Sequence, residues 1–497
     1  MHAARSREKL FKNSKNFVMQ KLCEKTLAEL SKLFHDGEIS SREITESFIS
    51  EIEAHDEKIN AFVTTTFDLA REMANAADAR QKSKKLLSPI DGMPIALKDV
   101  VCTSEVRTTA CSNILKNFQS PYDATVWKKL KNAGAVLIGK TNTDEFTMGA
   151  STQTSAFGVT RNPHDLKKVA GGSSGGNAAA IAANFCAGAI GTETNGSIRH
   201  PSHFCGITGL KVSYGRVSRW GVMPMASSLD VVGPMAKTVE DCALILQAIA
   251  GRDSKDSTTP DADVPNYFQN LDRSISGIKI GIPREFFSNG LDPEVARVIA
   301  AAEEQLKSLG AKIVDIELPH AQHAVAAYYI IAPGEISANM ARYDGLRFGE
   351  GARENSLEKM YEKSRHDGFG DEVKRRILIG TYVLSAGYSE KFYRQAQKVR
   401  TLIAQDFENA WEKVDAIFSP VSPTPAFDVG ENLDDPVKMY LEDMFLAPSC
   451  LAGICGVSVP SGKSKTGVPI GTQIICPAMC EDRALQIAHQ FQQAAKS

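Results

Sequence analysis

The sequence predicts an α/β fold, one large domain built on a largely buried sheet. Short apolar runs of the buried-strand kind alternate with helical stretches in the order strand, helix, strand. A run of almost nothing but small residues follows a glycine turn, and a helix that bare belongs in the middle of a packed fold. No linker and no internal repeat divides the 497 residues, although length alone suggests two to four domains.

The elements follow in chain order. Ser40-x-x-Glu43 is a capping box, and Ile44, Phe48, Ile49 and Ile52 form one apolar helical face behind it. Ala61 to Thr66 reads as a strand. Pro94-Ile-Ala-Leu97 and Ala135-Val-Leu-Ile138 read as buried strands, with a helix from Ala124 to Asn132 before the second. Residues 176–189, rich in alanine, read as the central helix. Ile278–Ile282 and Lys312–Ile316 read as strands around a helix from Asp292 to Leu309. Residues 251–275, polar and rich in Asp, read as a surface crossing. Residues 419–436, with four prolines, read as a long ordered loop.

Bulk properties narrow the function classes. Apolar residues make up 43% and charged residues 23%, and the formal net charge is -2. That is an ordinary globular composition, with no basic surface that would mark a nucleic-acid binder. Ten cysteines carry no C-x-x-C pair and read as reduced thiols of a cytosol or matrix. No run of eighteen apolar residues offers a membrane span. His200-Pro-Ser-His203-Phe-Cys205 lacks a fourth ligand and reads as the neighbourhood of a turn, with no metal. Residues 1 to 22 read as a basic, disordered extension, with Arg5, Arg7, Lys9, Lys12 and Lys15 against Glu8 alone. A transit peptide is the alternative there. The domain proper is expected over residues 23–497.

Three segments carry chemistry. Lys98 directly follows an apolar strand. Burial there disfavours its charged form, and a neutral lysine can accept a proton; taken alone, it reads first as a structural or solvent-edge lysine. Gly171-Gly-Ser-Ser-Gly-Gly176 opens the alanine-rich helix. By itself it is a tight turn or an anion cradle, and it lacks the Gly-Lys-Ser/Thr of a nucleotide loop. Gly191-Thr-Glu-Thr-Asn-Gly-Ser197-Ile-Arg199 is a polar turn whose successive N–H groups can face one point and stabilise an oxyanion.

Together and in this order, the segments resemble the amidase signature family. The match runs on through Cys205-Gly-Ile-Thr-Gly-Leu-Lys-Val-Ser-Tyr-Gly-Arg216 and Ser227-Ser-Leu-Asp230 to Gly233-Pro234, a signature core of about 92–240. The resemblance implies a mixed central β-sheet covered on both faces by helices. It also implies a catalytic relay: Lys98 as base, Ser173 as bridging hydroxyl and Ser197, 24 positions farther on, as nucleophile. Gly172 and Ser174 support the turn, with a cis peptide between Gly172 and Ser173. Backbone N–H groups of Thr194, Asn195, Gly196 and Ser197 form the oxyanion hole.

Stretches outside that core narrow the resemblance to the A-type chains of the tRNA-dependent amidotransferases. They include Tyr328-Tyr-Ile-Ile-Ala332, Arg342-Tyr-Asp-Gly345, Glu372-Val-Lys-Arg-Arg376, Gln397-Lys-Val-Arg-Thr401 and Pro469-Ile-Gly471. What this implies is a glutaminase subunit. It hydrolyses glutamine through a seryl acyl-enzyme and supplies ammonia to amidate Glu-tRNA(Gln) or Asp-tRNA(Asn). Arg376 would hold the glutamine α-carboxylate and Asp443 its ammonium, with Tyr328 beside them. No cofactor is expected in this chain. ATP and Mg would serve a B-type kinase/transamidase partner. A small C-type chain would complete the complex, and the misacylated tRNA would reach it through the partner. The expected compartment is the bacterial cytoplasm, with the mitochondrial matrix as alternative. Competing readings are a free-standing amidase of a small amide and a non-catalytic scaffold subunit. The sequence departs from the family pattern at Glu193 and Asn195, usually Asp and Gly, at His200 and His203, usually Gln and Ala, and at Gln153-Thr154, usually Glu-Asn. Asn195 is expected to take the left-handed backbone conformation that asparagine tolerates.

Overall fold

The computed structural model describes residues 22–287 and 290–495. The basic extension expected over residues 1 to 22 lies outside them except for Leu22, which is buried together with Cys23. Thirteen strands form among the described residues: β1 (Phe62–Thr65), β2 (Pro94–Lys98), β3 (Val136–Thr141), β4 (Arg161–Asn162), β5 (Asp165–Val169), β6 (Gly188–Glu193), β7 (Thr208–Lys211), β8 (Val231–Ala236), β9 (Lys279–Pro283), β10 (Lys312–Ile316), β11 (Ala416–Pro420), β12 (Cys455–Lys463) and β13 (Pro469–Cys476).

Eleven of them make one sheet in the order β1-β3-β2-β6-β8-β7-β12-β13-β11-β9-β10, and β4 pairs with β5 apart from it. The sheet is mixed. β2 runs parallel to β3 and β6, and β9 runs parallel to β10 and β11. Between these groups the pairings are antiparallel. Strands β2, β3, β6, β8 and β13 are buried at every position. Alternate side chains of a strand point to opposite faces, so unbroken burial requires helices on both. The fold is thus the single α/β domain that the apolar runs predict.

Local signals match their elements. Ser40 caps the Ser41–Ile59 helix with both halves of the box formed: Glu43 N–H donates to Ser40 Oγ at 3.1 Å, and Ser40 N–H to Glu43 Oε2 at 2.9 Å. Ile44, Phe48, Ile49 and Ile52 are all buried. The residue 419–436 loop is held down by Ala426 and Phe427, which pack on Val169 and Phe204.

Two expectations need correction. The small-residue run does not stay helical to 189. The helix is Gly175–Ala182, Asn184 takes φ +62, and Gly188-Ala189 opens β6. A left-handed residue ends a right-handed helix, and small side chains suit a crowded central strand as well as a crowded helix. Residues 251–275 are not merely a surface crossing, because Tyr267, Leu271 and Ile275 are sunk into the core.

A helical layer made of Ala324–Met340, Asp371–Leu384 and Tyr393–Trp411 carries a second apolar cluster. Gly380 fixes its spacing: a Cβ there would lie 1.8 Å from the Pro333 carbonyl oxygen. Only glycine lets these two helices approach so closely.

Candidate active site

β2 and β6 are neighbouring parallel strands, with Leu97 opposite Ile190. Ligand sites of α/β sheets lie beyond the carboxyl ends of such strands. Lys98 closes β2, and the 194–197 turn follows β6. The Gly171–Ser174 turn, which opens the Gly175–Ala182 helix, fits between them. Its Gly172–Ser173 peptide is cis, as the resemblance implies.

Lys98 is fully buried and its Nζ donates to Ser173 Oγ at 2.7 Å and to the Thr192 carbonyl at 3.4 Å. Burial pulls its pKa down to about 7, against the opposing field of Asp144. Ser174 ties the two turns together. Its N–H donates to the Ser197 carbonyl at 3.0 Å and its hydroxyl to the Thr192 carbonyl at 3.2 Å.

The turn that carries Ser197 is clasped by Glu193. One carboxylate oxygen accepts the N–H groups of Ile198 and Arg199 at 3.0 and 3.1 Å, and the other accepts Arg199 Nε and NH2 at 2.9 and 2.6 Å. Burial opposes the ionised carboxylate, but Arg199 outweighs it and holds Glu193 well below the usual range. Arg199 also reaches Ser449 Oγ at 3.0 Å and the Gln473 side chain on β13. The longer Glu in place of Asp is thus fully engaged. Thr194 Oγ1 donates to Asp230 at 2.6 Å, and Asp230 also accepts the N–H groups of Met225 and Ala226.

The left-handed residue of the turn is Gly196 (φ +83), not Asn195. A Cβ at Gly196 would lie 2.6 Å from Leu446 and 2.7 Å from Asp443 Oδ1. The glycine that the turn requires is therefore the one this chain keeps, and Asn195 does not take a left-handed conformation. Among the described residues the N–H groups of Asn195 and Ser197 take no protein acceptor, whereas that of Gly196 turns toward the Cys450 sulphur.

Arg376 and Asp443 are both buried, each less than a twentieth exposed, and Asp443 lies against Gly196 of this turn. The Arg376 guanidinium lies over the rings of Tyr329 and Tyr440, 5.4 and 5.6 Å from their centroids, and these rings stack 3.8 Å apart. Glu372 accepts Arg376 Nε at 2.8 Å and the Tyr440 hydroxyl at 3.0 Å. The other guanidinium edge takes no ion-pair partner among the described residues. Asp443 Oδ1 is buried without a hydrogen bond from them. Burial pushes the Asp443 carboxyl up while Arg376 pulls it back. Tyr328 is buried too, edge-on to Tyr329 at 4.9 Å.

Several contributors are not apparent from sequence. Tyr329, and not Tyr328, underlies Arg376; on a helix two adjacent residues face different ways, and sequence does not say which faces Arg376. Glu372 sits four residues before Arg376, the spacing of a helical ion pair, and that spacing is a usable signal. Asp144 accepts the N–H of Thr152 at 2.9 Å and Thr154 Oγ1 at 2.9 Å, which anchors the 151–154 loop near Lys98. Gln153 pins the neighbouring loop by accepting Gly430 N–H at 2.6 Å. His203 Nδ1 accepts the Gly471 N–H at 2.7 Å, and its Nε2 faces the Thr424 carbonyl at 3.2 Å. His200 is buried against Phe204 at 4.3 Å, with both ring nitrogens unpartnered among the described residues. Burial lowers the two imidazoles to about 3 for His200 and about 4 for His203.

Comparison with known proteins supplies the context. The Amidase family profile matches residues 43–485. The A-type subunit of the glutamyl-tRNA(Gln) amidotransferase from Halorhodospira halophila is 51% identical over 471 residues, covering 95% of this chain and 97% of that protein. The crystal structure of the corresponding Thermotoga maritima protein shares 37% identity at a TM-score of 0.78, covering 94% of each chain. Native peptide amidase from Stenotrophomonas maltophilia shares 29% identity at a TM-score of 0.81, covering 95% of this chain and 97% of that one.

Proposed function

The chain belongs to the amidase family, and we propose that within it this protein is the glutaminase subunit of a tRNA-dependent amidotransferase. One observation carries the reading: close to the serine turn, a buried guanidinium with one edge unpaired and a buried carboxyl with one oxygen unbonded lie near each other without pairing. Buried polar atoms without partners are unfavourable. A zwitterionic α-amino-acid amide would satisfy both, its carboxylate on Arg376 and its ammonium on Asp443. Identity of 51% along nearly the whole length of the Halorhodospira halophila relative supports the same donor.

The geometry supports one mechanism. Neutral Lys98 takes the proton of Ser173, and Ser173 takes that of Ser197. Ser197 Oγ bonds to the glutamine side-chain carbonyl carbon. The turn's free N–H groups, those of Asn195 and Ser197, hold the oxyanion. The C–N bond breaks as the relay returns a proton to nitrogen, and ammonia leaves. Water, deprotonated by the same relay, then cleaves the ester and releases glutamate.

Ammonia would pass to partner subunits, a B-type kinase/transamidase that uses ATP and Mg and a small C-type chain, for amidation of Glu-tRNA(Gln). Buried thiols such as those of Cys111, Cys186 and Cys205 suit a reducing bacterial cytoplasm. The test is Ser197→Ala in the assembled complex. Glutamine hydrolysis and glutamine-driven transamidation should be lost, while ammonium salt, entering after the lost step, should restore transamidation. Glutamine hydrolysis by pure Ser197→Ala protein would refute the reading.

A further inference from the structure

Asn195 stands in the turn just before Gly196, and the structure gives its side chain surroundings that a glycine cannot have. Asn195 is 4% exposed, and its Nδ2 donates to Asp443 Oδ2 at 3.4 Å. With Asp443 ionised, as an ammonium ligand requires, reversing the amide would set two acceptor oxygens against each other, so the nitrogen belongs toward the carboxylate. This leaves Asn195 Oδ1 buried with no hydrogen bond from the described residues. Asp443 Oδ1 is in the same condition and lies over the Gly196 backbone, next to Ser197. Two buried acceptors are thus unsatisfied at one place, joined only by a long contact. Leaving such groups without donors is unfavourable.

The two oxygens want N–H donors, and Arg376 does not supply them, since its bonded edge is turned to Glu372. A hydroxyl has one hydrogen to give. A primary ammonium has three, enough for both acceptors at once. We propose that Asn195 is a donor-binding residue, whose side-chain carbonyl shares the α-ammonium of the donor amino acid with Asp443. It would thereby sharpen selection for amides that carry a free primary α-amino group. This rests on the glutaminase reading and extends it to a further residue of the turn.

The consequence is a split between binding and chemistry. Asn195→Gly leaves Lys98, Ser173 and Ser197 in place and supplies the residue usual at this position, so the turn should fold. Asn195→Ala provides a second variant with the same loss of the carbonyl. Parent and both variants, assembled with their partner subunits, would be assayed for ammonia release from glutamine and from glutaramate, the same amide without the α-amino group. Both variants should raise the KM for glutamine about tenfold, the scale of one hydrogen bond to a charged group. The ratio of kcat/KM for glutamine to that for glutaramate, in which any change shared by both amides cancels, should shrink by the same tenfold. A parent that prefers glutamine, with variants that keep that preference in full, would overturn the role of Asn195 alone. A parent that hydrolyses both amides equally well, or neither, would overturn the glutaminase reading and this proposal with it. Parallel loss of kcat on both amides, with that ratio unchanged, would mean that Asn195 only shapes the turn, and would also overturn the proposal.

Discussion

Replacing Lys98 by methionine should abolish amide hydrolysis and at the same time stabilise the fold. Methionine keeps the unbranched stem inside the same buried slot and removes the charge. The magnitude follows from the lysine's pKa, about 7 in the fold against an ordinary 10.5. Between these values the unfolded chain binds more protons than the folded one, so stability contributed at this position rises with pH across that window. At pH 7 the gap amounts to about 4 kcal/mol, at about 1.4 kcal/mol per pH unit. Losing the bond from Lys98 to Ser173 returns about 1 kcal/mol. Lys98→Met should therefore gain about 3 kcal/mol at neutral pH. The gain should nearly vanish at about pH 10, where the parent lysine is neutral in the fold and the remaining gap to the unfolded chain, about 1 kcal/mol, is offset by the lost bond to Ser173. Urea unfolding followed by tryptophan fluorescence, at both pH values and with activity measured alongside, tests this. A folded Lys98→Met protein no more stable than the parent at pH 7 would refute the argument. So would a difference that is the same at both pH values.

Other outcomes follow from the same geometry. The kcat/KM for glutamine should fall about tenfold per unit as pH drops below about 7, because protonated Lys98 cannot accept a proton; a flat acid limb down to about pH 5 would exclude it as the base. His200 and His203 are held neutral, with pKa values lowered to about 3 and about 4. Stability that is complete above the unfolded histidine value of about 6.5 should thus decline below it, by about 2 kcal/mol per imidazole at pH 5. His200→Gln should flatten that decline in unfolding midpoints compared between pH 7 and 5. Gly196→Ala should reduce glutamine turnover by about a hundredfold or more, since its methyl group must displace Leu446 or Asp443 beside the nucleophile; steady-state rates on protein with an unchanged circular dichroism spectrum would check it.

Much of this is legible in the sequence, and the residues say why. Lys98 follows a run of apolar strand residues, and its burial is what such a run implies. Ser173 and Ser197 lie in turns rich in small residues, where few side chains compete for the space. The capping box at Ser40 and Glu43 depends on contacts three residues apart, so sequence contains all of it. The end of the small-residue helix is not legible. Alanine and glycine fill a tight helix and a tight strand equally well, and only the left-handed Asn184 separates them. The donor site can be read through Arg376 and Asp443, but its aromatic floor cannot. Tyr329 and Tyr440 come from helices over a hundred residues apart, and nothing local to either residue announces their stacking. The conformation of the nucleophile turn is likewise invisible, because Gly196 is required by Asp443 and Leu446, far along the chain.

The clasp of Arg199 on Gln473 has a consequence for biosynthesis. The two partners are separated by 274 positions, and β7 finds its neighbour β12 only across a similar span. A ribosome that has released Lys98, Ser173 and Ser197 has still to make most of the second half of the chain before the arginine beneath the nucleophile turn gains its last partner. Asp443, which lies against Gly196, also arrives late. Through most of its translation the nascent polypeptide therefore holds its reactive serine without a finished pocket. Cellular glutamine is spared from an enzyme that is not yet complete.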